Sequence, residues 1–116
     1  MFAFEPHQRF HAKHDFQAVF DGGKRVSAGV LRGIVYECGK SHSRLGVVVG
    51  RKLGKAHTRN TCKRVCREWF RLEQHRFKRP IDLVLLPASD QLIKYAYDER
   101  KQRFDNLLKQ INYILG

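Results

Sequence analysis

The chain has 116 residues, with 23 Lys and Arg against 11 Asp and Glu, a formal net charge of +12. That length fits one domain, and a hydrophobic content of 42% suffices for one small core. The charge excludes an acidic disordered chain and disfavours an enzyme built around a small anionic metabolite, which needs only a few cations; the expected partner is a polyanion, of which nucleic acid is the commonest.

Met1–Phe10 lacks a basic region followed by a long apolar run, so no secretory signal is expected. Phe10, Phe16, Val19 and Phe20 follow, and Asp15 is placed to cap a short helix over Phe16–Phe20 that Gly22 and Gly23 stop. Lys24–Ala28 and Val30–Cys38 read as strands. In the second, Arg32, Ile34 and Tyr36 share one face, and Leu31, Gly33 and Val35 the other. Gly39–Ser43 is a turn, Leu45–Lys52 a third strand, and a hairpin between the second and third strands is expected. Gly54 breaks the pattern. From Thr58 onward Cys62, Val65, Cys66, Trp69 and Phe70 draw one apolar stripe, with Asn60, Lys63, Arg64, Arg67 and Arg71 on the opposite side of a helix. Pro80 ends the connection after it, Ile81–Leu86 is a buried strand closed by Pro87, and Asp98 opens a last helix with Phe104, Leu107, Leu108, Ile111, Ile114 and Leu115 inward. The order α-β-β-β-α-β-α predicts a single α+β domain over residues 1–116, a two-layer sandwich of helices on a mostly antiparallel sheet.

The charge is concentrated. Residues 51–79 hold 11 basic and 2 acidic residues, so this quarter of the chain carries +9 of the net charge. A solvated helix face normally offers both signs for pairing; here only Glu68 and Glu73 are at hand. Metal and catalytic readings are weaker. Cys62 and Cys66 stand one helical turn apart near His57 and His75, but a structural zinc site needs four ligands, and both lie on the apolar stripe, so they read as core cysteines. Three cysteines without tight spacing point to a reducing compartment. His7, His11, His14 and His42 cluster near the N-terminus or in a turn, carboxylates are scarce, and no acid–base pair is expected. Gly50–Lys55 lacks the spacing of a phosphate-binding loop. The apolar runs Leu45–Gly50 and Ile81–Ala88 are strand-sized, and no membrane span is expected. Phe16, Phe20 and Tyr36 admit two readings, core residues or a platform on which single-stranded bases stack. Arg32 beside Tyr36 favours the accessible groove.

The segment Gly54-x-Ala56-x-x-Arg59-Asn60-x-x-Lys63-Arg64-x-x-Arg67-Glu68 resembles the hallmark of the bacterial ribonuclease P protein subunit. Asp15-Phe16-x-x-Val19-Phe20-x-x-Gly23 resembles that family's first helix, Tyr36 falls where it has an aromatic on its second strand, and Asp82–Pro87 resembles its fourth strand. Thr61 stands where the family usually has a third arginine; its hydroxyl is suited to cap a helix end or touch phosphate. The resemblance implies a fold like the second domain of ribosomal protein S5, with an unusual left-handed β-α-β crossover. It implies a protein that joins a catalytic RNA which, with magnesium held mainly by the RNA, removes the 5′ leader of precursor tRNA in the cytoplasm. Arg51, Lys52, Lys55, Arg59, Asn60, Lys63, Arg64 and Arg67 would contact RNA; Phe16, Phe20 and Tyr36 would line a cleft for the leader. The protein would be a monomer, one per RNA, with no catalytic residue or metal of its own. The alternative is a structural rRNA-binding protein of the same fold, which has no need of an open aromatic groove. A free-standing nuclease would instead cleave without added RNA.

Overall fold

Strands that are apolar on both faces take the centre of the sheet, and shorter ones its edges. The structure, a computed structural model, describes residues 8–10, 13–37 and 39–116. Its elements are α1 (Lys13–Gly22), β1 (Lys24–Ala28), β2 (Leu31–Tyr36), β3 (Arg44–Val47), α2 (Ala56–Glu73), β4 (Asp82–Pro87), α3 (Gln91–Lys94) and α4 (Tyr97–Leu115). One sheet runs β1-β2-β4-β3, antiparallel except for the parallel pair β3 and β4.

The hairpin expected between the second and third strands does not form. β2 pairs with β1 through a turn at Gly29, whose φ of +64° suits a residue without Cβ. β4 lies between β2 and β3 because Leu83, Val84 and Leu85 are fully buried from both faces, which only an interior strand achieves. The chain therefore leaves β3, crosses over as α2 and returns parallel to β3 as β4.

Leu31, Val35, Leu45, Leu83 and Leu85 form the floor on which Cys66, Trp69 and Phe70 of α2 and Phe104, Leu107, Leu108 and Ile111 of α4 pack. The other sheet face carries a smaller cluster, Val19 of α1 against Ile34 and Val84, with Phe10, Phe16, Tyr36 and Leu86 at its margin. The alternation read from the second strand is thus observed. Cys62 and Cys66 are buried, and burial pushes both thiols above their usual range, as suits core residues. Cys38, His7 and His11 lie outside the described residues.

Several boundaries differ from expectation: β2 spans Leu31–Tyr36 and not Val30–Cys38, and β4 is shifted by one residue to Asp82–Pro87. α1 begins at Lys13, so Asp15 lies inside its first turn instead of capping it. β3 stops at Val47, and a 3-10 turn over Arg51–Leu53 follows, anchored by buried Leu53. α3 was not anticipated; four residues with one buried side chain, Leu92, give no periodic signal. Among the described residues no helix is long and apolar enough to cross a membrane.

Candidate nucleic-acid interface

The apolar stripe of α2 fixes which side of the helix faces out. With Cys62, Cys66, Trp69 and Phe70 buried, Asn60 and Arg64 are exposed, and Lys63 and Arg67 are half-buried at the flanks. Arg51 and Lys52 stand exposed on the 3-10 turn, and Lys55 occupies the position before α2. Gly54, at φ +147°, makes the bend that joins turn to helix. The first turn of α2 has no acid and no side-chain cap, so its free N–H groups and the helix dipole add to the positive field. Arg59 folds back over this start, its Nε donating to the Gly54 carbonyl at 3.2 Å.

Thr61 uses its hydroxyl within the helix, donating to the His57 carbonyl at 2.8 Å. It neither caps a helix end nor presents its proton outward. Restoring a cation with Thr61→Arg is expected to tighten RNA binding and to steepen its salt dependence by one phosphate contact, about 0.9 in the log–log slope. Mobility-shift titrations at a series of KCl concentrations measure both.

Several cations outside the predicted set are paired. Arg71, Arg76, Arg79, Lys94, Lys101 and Arg103 each meet a carboxylate. Among the described residues Arg51, Lys52, Lys55, Arg59, Lys63, Arg64 and Arg67 meet none. Arg67 is held below the usual guanidinium range by burial first and then by the like charge of Arg9. Arg9 belongs to this surface although sequence reasoning did not find it. Residues 8–10 run beside β3, with the Phe10 N–H donating to the Leu45 carbonyl at 3.3 Å, Gln8 bonded to the Gln74 side chain, and Arg9 paired with Leu45. Nothing in the sequence marks that docking.

The second predicted site lies across the sheet. Strand register sets Tyr36, Asp82 and Arg44 in one row on the α1 face, Arg25, Ile34, Val84 and Gly46 in the next, and Ser27, Arg32 and Leu86 in a third. α1 covers the middle of this face. Gly46 makes that possible, because a Cβ there would stand 2.6 Å from Phe16 Cε1 and 2.8 Å from Phe10 Cδ2. Phe16 and Tyr36 are half-buried against the small cluster, and Phe20 is 41% exposed. Arg25 and Arg32 are exposed on the same sheet face, and Leu86 is half-buried there. This face therefore combines accessible ring surface with unburied cations, the composition that suits single-stranded nucleic acid. Arg25 and Leu86 join it only through the strand order, which the sequence does not display.

Residues 4–112 match the family model described as Ribonuclease P. The chain belongs to the ribonuclease P protein family. The ribonuclease P protein component of Desulfatibacillum aliphaticivorans is 42% identical over 85 residues, which cover 73% of this chain and 72% of that protein. The component from Thermotoga maritima is 32% identical over 112 residues, covering 94% of this chain and 96% of that one. A solved structure of the RNase P protein from Thermotoga maritima superimposes with a TM-score of 0.77 at 32% identity, over 93% of this chain and 98% of that one. The α+β fold expected from the resemblance is thus the family's fold. The chain's place is that of the protein subunit of ribonuclease P, a tRNA-processing enzyme complex.

Proposed function

We propose that this chain holds the catalytic RNA of ribonuclease P against the surface formed by Arg51, Lys52, Lys55, Arg59, Asn60, Lys63, Arg64 and Arg67, and holds the 5′ leader of precursor tRNA in a groove beside α1, between its exposed rings and the uncovered part of the sheet. The observation that carries this reading is the row of cations that meet no carboxylate among the described residues, on and just before a helix whose opposite side is locked into the core. Cations on a rigid face match a phosphate backbone, and arginine grips phosphate through two parallel donors. Leaders differ in sequence, so stacking on Phe16, Phe20 and Tyr36 with charge from Arg25 and Arg32 suits them better than base-edge contacts. Cleavage at the phosphodiester falls to the RNA, with magnesium held mainly by that RNA; the protein acts in the cytoplasm as a monomer, one per RNA. Arg9 extends the RNA surface past the end of α2's predicted set.

The salt dependence of RNA binding tests this. A surface that neutralises about 6–8 phosphates gives a log–log slope between about −5 and −7. Filter binding of the protein to a bacterial ribonuclease P RNA across KCl concentrations measures it, and a flat plot contradicts the assignment.

A further inference from the structure

Arg44 joins three elements at one point. From β3 its guanidinium grips Asp82 of β4, Nε to Oδ1 at 2.9 Å and Nη2 to Oδ2 at 2.7 Å, and its Nη1 donates to Asp15 Oδ1 of α1 at 3.2 Å. The same guanidinium stands 4.9 Å from the centre of the Phe10 ring, which meets Phe16 edge-on at 4.9 Å. The sheet half of this cluster is a fixed post, because Asp82 is buried and the fork is bidentate. Asp15 ties the start of α1 to that post. The far end of α1 is held by close approach: a Cβ on Gly22 would lie 2.9 Å from Tyr36 Cε1, and one on Gly23 2.5 Å from Ile34 Cγ2. Phe16 and Phe20 lie between the two anchors.

We propose that the contact between Asp15 and Arg44 positions α1 over the sheet and so sets the width of the leader groove. Asp15 is a positioning residue, not a binding one. The proposal rests on the groove reading given above. Two roles for Asp15 predict opposite signs. A carboxylate beside a site for a polyanion repels it, so by charge alone Asp15→Asn would tighten leader binding. As a tether, its loss frees α1 and weakens stacking.

The test uses the holoenzyme, reconstituted with a bacterial ribonuclease P RNA and wild-type, Asp15→Asn, Asp15→Glu or Arg44→Lys protein. Affinity is measured for precursor tRNA carrying a leader of about eight nucleotides, within the span of a single-strand groove, and for mature tRNA. Their ratio is the leader gain. Asp15→Asn is expected to lower that gain about fivefold or more, the worth of one stacked base. Affinities for the catalytic RNA and for mature tRNA should stay as in the wild type, and Asp15→Glu should restore most of the gain. Arg44→Lys keeps a charge on Asp82 but lacks the fork that reaches Asp15, and is expected to show the same loss. A leader gain that is unchanged or larger in folded Asp15→Asn protein overturns the proposal, as does an equal loss with mature tRNA. A wild-type holoenzyme without any leader gain overturns the groove reading itself, and the positioning role with it.

Discussion

A chain carrying both Arg64→Ala and Arg67→Ala is expected to bind the catalytic RNA about 100-fold more weakly, since each charge-assisted contact to phosphate contributes about 1.5 kcal/mol or more. Neither side chain has a carboxylate partner among the described residues; Arg64 is exposed, and Arg67 is half-buried at the flank of the core stripe. Removing them relieves like-charge repulsion within the protein, including that between Arg9 and Arg67. The stability of the domain should therefore stay within about 0.5 kcal/mol of the wild type, as for ordinary surface changes. Filter binding and urea unfolding of the same preparation separate the two effects. Weak binding together with a large drop in the urea midpoint would make this face structural.

The opposite pattern is expected at Arg44. Arg44→Met should destabilise the domain by about 3–5 kcal/mol, because it leaves the Asp82 carboxylate buried without its partner. Asp82 is 2% exposed, and among the described residues the Arg44 guanidinium accounts for both of its side-chain hydrogen bonds. The guanidinium is itself held above its usual range, by the bond to Asp82 first. Chemical denaturation monitored at Trp69 measures the loss. A small change would mean that Asp82 finds water or another donor when Arg44 is gone.

What the sequence made legible was the part of the fold governed by local periodicity. The two faces of α2 followed from the spacing of Cys62, Cys66, Trp69 and Phe70 against Lys63, Arg64 and Arg67, and burial follows that division. The alternation of β2 likewise put Tyr36 on the face that α1 covers. What stayed hidden depended on strand order. A run such as Arg44–Val47 gives no sign that its neighbour is β4 and not β2, so the expected hairpin was wrong. Every residue recruited across that boundary was invisible too: Arg9 beside Arg67, and the fork from Arg44 to Asp82. The motif around Arg59 and Asn60 supplied the family, and the fold then explained why those cations meet no carboxylate among the described residues.

The most direct test of the whole account is reconstitution. Purified protein, a bacterial ribonuclease P RNA and a precursor tRNA are combined at low magnesium, where the field of the protein matters most, and products are mapped to the nucleotide. One cut at the mature 5′ end is expected, and only when RNA and protein are both present. Cleavage by the protein alone would place chemistry in this chain, and no stimulation by well-folded protein with a compatible RNA would point to a structural RNA-binding role.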